Sequence, residues 1–206
     1  LKVLSEEDMQ EIHEKSIFLL EKVGFKIASQ KALEILADHG VKVDLEKQMA
    51  FMHRSLVEEC LKKAPKSFTL GSLDDHLKVV LPHPEGGFYT RSATGAQGIL
   101  DMDNNHRYVK QEDVKNWVKV IDALDELDIC SVPTPSDVPA NARDIYALKC
   151  ALENTQKHIM VQPYSEKGLE HLATMAVMVA GGKDNFRENP NISMACCVTP
   201  PLGIKF

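Results

Sequence analysis

Polar side chains follow three short apolar stretches of the sequence, and their positions make them candidates for acting on a substrate. The stretches comprise residues 129–135, 159–165 and 193–201, and each contains a proline close to its end. The polar residues at the exits are Thr134, Gln162, Tyr164 and Thr199. Proline cannot donate to a β ladder and therefore marks the end of a strand. In a β/α barrel, catalysis takes place at the edge where the strands end, although many polar residues there are not catalytic.

The histidines and cysteines of the sequence favour neither a metal site nor a disulfide framework. The eight histidines lack HxH and HExxH spacing, so we expect no metal site within this chain. The five cysteines are odd in number and include no CxxC pair, which is typical of buried free thiols in a reducing cytoplasm. Cys196 and Cys197 could form a reactive pair, but adjacent residues of a strand point to opposite faces, which favours a structural role.

The segments between the apolar stretches predict the fold of this region. None of the stretches alternates polar and apolar residues, so each is predicted to be a strand buried on both faces. Residues 141–153 and 166–180 have helical spacing, and strand–helix alternation favours parallel strands with crossover helices. A helix over 111–124 leads into the first strand. Its apolar stripe comprises Val114, Trp117, Val118, Ile121 and Leu124, so Trp117 is expected in the core. The predicted fold class is α/β, with residues 111–206 forming the first strands of a partial (β/α)8 TIM-type barrel.

Two smaller regions precede the barrel strands. Residues 1–65 are predicted to be a helical unit with helices over 5–23, 29–39 and 55–64. The buried face of the first helix is predicted to comprise Met9, Ile12, Leu19, Leu20 and Val23. Residues 66–110 are predicted to be a small, antiparallel β-rich region. Its strand candidates are 67–70, 77–81, 87–90, 98–102 and 107–109.

Composition excludes several classes of protein. The formal net charge of -6 and the lack of a dense Lys/Arg run argue against a nucleic-acid partner. No apolar run is long enough to cross a bilayer, and no signal-peptide pattern opens the sequence, so we expect a cytoplasmic protein without a membrane partner. Three parallel strands cannot close an eight-stranded barrel. We therefore expect either a part of a longer enzyme or a homo-oligomer in which another copy covers the exposed apolar face.

Several segments resemble one family. They are LSEEDMQEIH at 4–13, LLEKVG at 19–24, APKSFTL at 64–70, SATGAQ at 92–97 with LDM at 100–102, and ENTQKH at 153–158. In this order the segments resemble the N-terminal part of the trimethylamine methyltransferase (MttB-like) superfamily, and the resemblance covers nearly the whole chain.

The resemblance implies a β/α barrel with an N-terminal helical and β extension. It also implies methyl transfer from a methylated amine to a cobalt(I) corrinoid, which is held on a partner protein and not within this chain. Some family members contain pyrrolysine and use trimethylamine, whereas others lack it and demethylate quaternary amines such as glycine betaine. The pyrrolysine position falls beyond residue 206, so this sequence does not assign the subgroup. Because cobalt(I) is itself a nucleophile, the resemblance implies no catalytic triad, and the catalytic residues stay unassigned.

Such a substrate suggests further site residues. A quaternary ammonium group favours an aromatic box, for which Phe88, Tyr89 and Tyr164 are candidates. The carboxylate of a betaine would suit Arg91 with Thr94. Alternatively, Phe88 and Tyr89 pack a hairpin and Arg91 is solvated. Two other functions stay open: a β/α-barrel enzyme of unrelated chemistry, and a truncated homologue without catalytic activity.

Overall fold

The structure is a computed structural model that describes residues 3–93, 95–195 and 203–204. These residues form two compact units. The first contains the described residues as far as Pro65 together with the strand Gly203–Ile204, and the second begins at Lys66. In the described part of the chain, no helix is both long enough and apolar enough to cross a membrane.

The first unit combines the three predicted helices with a sheet that the sequence analysis missed. The helices are α1 at Glu6–Phe18, α2 at Gln30–Asp38 and α3 at Arg54–Lys63. The strands are β1 at Phe25–Ile27, β2 at Lys42–Asp44 and β3 at Met49–Phe51. β3 lies between β1 and β2 and is antiparallel to both, while Gly203–Ile204 is parallel to β1. These strands are too short for an alternating pattern to reveal them.

Helix α1 begins as predicted but buries a different face. The Ser5 hydroxyl accepts a hydrogen bond from the Asp8 amide, and the Asp8 carboxylate accepts one from the Ser5 amide, which forms a capping box. The predicted buried face is wrong for Met9, Ile12, Leu19 and Val23, which are all exposed, whereas Leu20 is partly buried against the core and Ile17 is fully buried. After Phe18 the helix widens into a π-helical turn at Leu19–Val23, so residues spaced for a continuous α-helix no longer share one face.

Two antiparallel hairpins open the second unit. β4 at Phe68–Leu70 pairs with β5 at Val79–Leu81, and β6 at Gly98–Leu100 pairs with β7 at His106–Tyr108. The antiparallel prediction is confirmed for these four strands. The predicted strand at 87–90 is wrong, because the backbone there forms no hairpin and Thr90 instead accepts hydrogen bonds from the amides of Asp128 and Ile129.

A parallel sheet with crossover helices follows, and this prediction is confirmed. In chain order its elements are α4 at Gln111–Ala123, β8 at Ile129–Ser131, α5 at Arg143–Leu152, β9 at His158–Val161, α6 at Glu166–Val179, α7 at Lys183–Glu188 and β10 at Ile192–Met194. β9 lies between β8 and β10 and is parallel to both. The described strands do not close into a barrel, and the later part of the third apolar stretch, with Cys196 and Cys197, lies outside the described residues.

The two faces of this sheet differ in polarity. The row Cys130, Ile159 and Ile192 belongs to the hydrophobic core that the helices cover. The next row, Ser131, Met160 and Ser193, points to the opposite face, because side chains alternate along a strand. We call this second face the inner face. It includes buried polar residues, which are Ser131, His158 and Asn191.

Helix α4 places its tryptophan at the edge of the sheet. Val114, Val118 and Ile121 are buried as predicted, but Trp117 is 38% exposed and Leu124 is exposed too. Its indole N–H donates to the carbonyl oxygen of Ser131 at 3.0 Å. The expectation that Trp117 lies in the core is therefore wrong, because its polar group satisfies a backbone acceptor at the edge of β8.

Candidate active site

An irregular segment lies along the free edge of β8. We call residues 90–97, without Thr94, the edge segment. The Ser92 amide donates to the Ile129 carbonyl at 3.2 Å, and the Thr134 amide donates to the Ala96 carbonyl at 2.9 Å. The Ser92 hydroxyl also accepts from the Ser131 amide at 2.8 Å and donates to the Ser131 carbonyl at 2.9 Å. The edge segment thus runs parallel to β8 and reaches the carboxyl edge of the sheet at Ala96 and Gln97.

Because the edge segment runs along β8 in this way, three of the predicted site residues lie away from the carboxyl edge of the sheet. Phe88 is 84% exposed, and Tyr89 lies against His83 with 4.7 Å between ring centroids. Both precede the residues that pair with the start of β8. Arg91 lies opposite Ile129, and its Nη1 is 3.4 Å from the Met160 sulfur. The structure therefore does not bring these residues together with Tyr164. Thr94 and Thr199 lie outside the described residues.

Three predicted residues do meet at the carboxyl edge. A hydrogen bond of 2.8 Å joins the Thr134 hydroxyl to the Tyr164 hydroxyl. Gln162 lines the same cleft. Thr134 is buried, whereas Tyr164 is 50% exposed. The ends of β8 and β9 therefore present a hydroxyl pair and an amide toward one cleft.

Asp144 fixes the loop after β9, although the sequence analysis did not select it. This carboxylate is only 6% exposed. Its Oδ2 accepts from the Tyr164 amide at 3.2 Å, and its Oδ1 accepts from the Ile145 amide at 3.0 Å. Gly168 permits this approach, because a Cβ there would stand 2.7 Å from Asp144 Oδ2. Its position in the sequence could have indicated it. Asp144 is in the first turn of the helix that follows a barrel-type strand, and residues at that edge of a β/α barrel often contribute to catalysis.

Arg143 is the second residue that the sequence analysis missed. It is the first residue of α5. Its Nε is buried and has no hydrogen-bond partner, and Arg143 forms no ion pair with any described residue. It lines a small cleft of about 20 Å³ together with Thr134, Gln162 and Tyr164. It also lines an adjoining cavity of about 450 Å³, whose other lining residues are Gln97, Tyr108, Thr134 and Ser136.

The charges and rings of this cavity define what it can bind. Arg143 supplies a permanent positive charge to both parts. Tyr108 lines the larger part and Tyr164 the small cleft, and tyrosine rings can attract a cation. A small zwitterion matches both features. Among the described residues, no group of three or more His, Cys, Asp or Glu could hold a metal ion.

The buried ionisable groups of the sheet do not provide a nucleophile. Burial raises the pKa of the Cys130 thiol to about 12, so the reactive thiolate is disfavoured. His158 lies at the amino end of β9, away from the cleft, and burial lowers its pKa. Its Nδ1 is 2.7 Å from the Gly71 carbonyl oxygen, which can only accept, so Nδ1 carries the proton. Its Nε2 then accepts from the Ser193 hydroxyl at 2.8 Å. Both groups are structural.

Comparisons with known proteins identify relatives of the whole chain. A family model described as trimethylamine methyltransferase (MTTB) matches residues 1–205. A trimethylamine methyltransferase of Desulfitobacterium hafniense is 30% identical over 97% of this chain and 40% of its own length. A glycine betaine methyltransferase of the same species is 28% identical over 96% of this chain and 41% of its own. An L-carnitine:corrinoid methyltransferase of Eubacterium limosum is 24% identical over 97% of this chain and 42% of its own. The chain thus spans about two fifths of the length of these relatives.

Proposed function

The chain belongs to the trimethylamine methyltransferase (MTTB) family, and we propose that it forms the N-terminal part of an enzyme that moves a methyl group from a methylated amine to a corrinoid protein. The observation that carries this proposal is the match of the family model to residues 1–205. The names of the relatives support the reaction, since they are methyltransferases of trimethylamine, glycine betaine and L-carnitine, the last of these corrinoid-dependent.

We also propose that the parallel sheet is the first part of a (β/α)8 barrel. The support is the spatial order of β8, β9 and β10, which follows the chain with helices on one face. The inner face supports it further, because the Ser131 hydroxyl and the Asn191 amide are buried there without hydrogen-bond partners. Further strands could supply those partners. In this division, residues 66–110 form a small β-rich region and the first βα units begin at residue 111, whereas the strand Gly203–Ile204 belongs to the first unit.

The cavity at the carboxyl edge is the proposed substrate site. The corrinoid, when its carrier protein is bound, supplies a cobalt(I) nucleophile. The residues of this chain therefore need only bind the amine, orient a methyl group and exclude water. Tyr108 in the larger part and Tyr164 in the small cleft supply rings for the ammonium group, and Thr134 holds the Tyr164 hydroxyl. Both tyrosine side chains are half or more exposed, which suits a site that a second protein must reach.

The test is methyl transfer by the protein at its full genomic length, with its cognate corrinoid protein. Trimethylamine, glycine betaine and L-carnitine are each supplied, and the absorption change from cobalt(I) to methylcobalt(III) is followed. We expect turnover of at least one methylated amine by the full-length protein. We expect none by the 206-residue chain alone, because three strand ends of eight do not complete a barrel site. A full-length protein that is inert toward all of them would contradict the proposed function, and would favour unrelated barrel chemistry or a non-catalytic homologue. A homo-oligomeric state and a cytoplasmic location remain predictions.

A further inference from the structure

We propose that Arg143 binds the carboxylate of the substrate, and that the substrate is accordingly a methylated amine that carries a carboxylate. This inference rests on the proposed function and narrows it, because trimethylamine has no anionic group. It also moves the anion-binding role from Arg91 to a residue at the carboxyl edge of the sheet.

The unbalanced charge of Arg143 is the first argument. A guanidinium group stays protonated in proteins and offers five N–H donors. Its Nε is buried without a hydrogen-bond partner, and a buried donor without a partner is unfavourable. The carboxylate of the adjacent Asp144 lines the same small cleft and accepts from the backbone amides of Ile145 and Tyr164, but it forms no hydrogen bond or ion pair with Arg143. Within the described residues, the buried Nε of the half-buried Arg143 therefore has no acceptor.

The lining of the larger cavity is the second argument. Its described lining residues are Gln97, Tyr108, Thr134, Ser136 and Arg143, so this part carries one positive charge and no carboxylate, whereas the carboxylate of Asp144 lines the adjoining small cleft. Such a site attracts an anion, and a guanidinium group matches a carboxylate with paired N–H donors. Tyr108 belongs to the same lining, and the Tyr164 hydroxyl is bonded to Thr134. Arg143 therefore shares one lining with Tyr108 and the other with Tyr164, so an aromatic ring lies in each part beside the cation that would hold a carboxylate.

The position of Arg91 is the third argument. Arg91 pairs with Ile129 at the start of β8, whereas Thr134 follows the end of that strand. It is exposed, and its described side-chain contact is with the Met160 sulfur. Its charge is therefore available to water, and Arg91 does not line either part of the cavity at the carboxyl edge.

The experiment measures binding to the full-length protein without the corrinoid protein, by isothermal titration calorimetry. The probes are glycine betaine and choline, which share a trimethylammonium group but differ in the carboxylate. We expect the wild type to prefer glycine betaine. We expect Arg143→Gln to weaken glycine betaine binding at least about tenfold, which corresponds to the loss of one charge-assisted contact. Choline binding should change less than about twofold.

Three further variants make the result specific. Arg143→Lys keeps the charge but loses the paired donors, so it should bind glycine betaine with an intermediate dissociation constant. If Arg143→Gln fails to fold, the comparison of glycine betaine with choline is made with Arg143→Lys instead. Arg187→Gln removes an equivalent charge from an exposed position on α7 and should bind like the wild type. Arg91→Gln tests the alternative cation and should also bind glycine betaine like the wild type.

Several outcomes would overturn the inference. The first is that Arg143→Gln weakens the binding of glycine betaine and of choline equally, and the second is that only Arg91→Gln weakens glycine betaine binding. The third is that both Arg143 variants bind glycine betaine like the wild type. The fourth is that the wild type does not prefer glycine betaine to choline. Failure of the proposed function is distinguishable, since it concerns methyl transfer. Arg143-dependent binding without transfer contradicts only the reaction, whereas transfer that does not depend on Arg143 contradicts only this inference.

Discussion

The hydroxyl groups of Thr134 and Tyr164 lie 2.8 Å apart, so a side-chain hydrogen bond joins the ends of two neighbouring parallel strands. Thr134 follows β8, and Tyr164 follows β9. The Tyr164 backbone is held separately, because its amide donates to Asp144 at 3.2 Å. The ring of Tyr164 is therefore fixed at both its hydroxyl and its main chain.

The Thr134–Tyr164 bond should appear as coupling in a double-mutant cycle. Thr134→Val and Tyr164→Phe each remove one hydroxyl and keep the shape of the side chain. Because the two groups bond to each other, we expect their effects on the free energy of unfolding to be non-additive by about 1 kcal/mol. Urea denaturation of the four proteins measures the coupling. Strictly additive effects would show that the bond is not formed in solution.

Gly71 should be far less tolerant of a side chain than Gly87. A Cβ at Gly71 would overlap Asn189 Oδ1 and would stand 2.7 Å from the Asn189 backbone carbon. Asn189 cannot easily move, because its side chain forms two hydrogen bonds with the Ser72 backbone. We expect Gly71→Ala to lower the free energy of unfolding by about 1 to 3 kcal/mol.

Gly87→Ala is the matched control for this substitution. The three atoms nearest to a Cβ at Gly87 would all belong to the His83 ring, at 3.2 to 3.3 Å, and a side chain can adjust by a small rotation. We expect a change of less than about 0.5 kcal/mol in the free energy of unfolding. Chemical denaturation measures the free energy of unfolding of both variants. Equal losses of stability would argue against the close packing at Gly71.

His158 should make the folded protein sensitive to mild acid. Burial lowers the pKa of His158 below its ordinary value of 6.5. The unfolded chain therefore binds the proton more readily than the folded chain does. The stability that neutral His158 contributes is thus fully present above pH 6.5 and is lost as the pH falls toward the lowered pKa.

Replacement of His158 by asparagine tests this pH dependence. In His158→Asn, the new side-chain amide can still donate toward the Gly71 carbonyl oxygen, but it cannot titrate. We expect the urea midpoint of the wild type to fall between about pH 7 and pH 5 more steeply than that of His158→Asn. Parallel pH profiles for the two proteins would show that His158 is not the responsible group.

Asp113 should stabilise the start of α4 through its negative charge. Arg107 donates to both carboxylate oxygens, at 2.6 and 2.8 Å, and the Lys110 amide donates to Oδ2 at 2.8 Å. The Arg107 side chain holds the pKa of Asp113 at about 2, below its usual value. A lowered carboxyl pKa means that the stabilisation is present above about pH 4 and is lost as the pH falls toward 2.

The substitution Asp113→Asn should lower the free energy of unfolding by about 1 kcal/mol at pH 7, since Arg107 is partly exposed and solvent screens the pair. The difference from the wild type should shrink at pH 3. Asp125→Asn, at an exposed position, is the control and should have little effect at either pH. A loss for Asp113→Asn that is the same at both pH values would mean that the ion pair does not contribute.

The sequence predicts the parallel strands but does not single out Arg143, the proposed cation of the site. Strand and helix periods are local properties, so the apolar stretches and the helix at 166–180 could be recognised from neighbouring residues. Arg143 at a helix start has no distinguishing local pattern, and its missing partner is visible only once the chain is folded. Phe88 was assigned to the site because aromatic residues suit a cationic ligand, but pairing of the edge segment with β8, set by residues about 38 positions apart, places Phe88 elsewhere.

The fluorescence of Trp117 reports on the edge of the parallel sheet. It is the one tryptophan in the sequence, and its indole N–H is bonded to the Ser131 carbonyl that also accepts from Ser92. Fluorescence excited selectively at tryptophan therefore originates beside the contact between β8 and the edge segment. We expect detachment of that segment to change the surroundings of the Ser131 carbonyl and therefore the tryptophan emission, so events at this edge can be followed without attaching a dye.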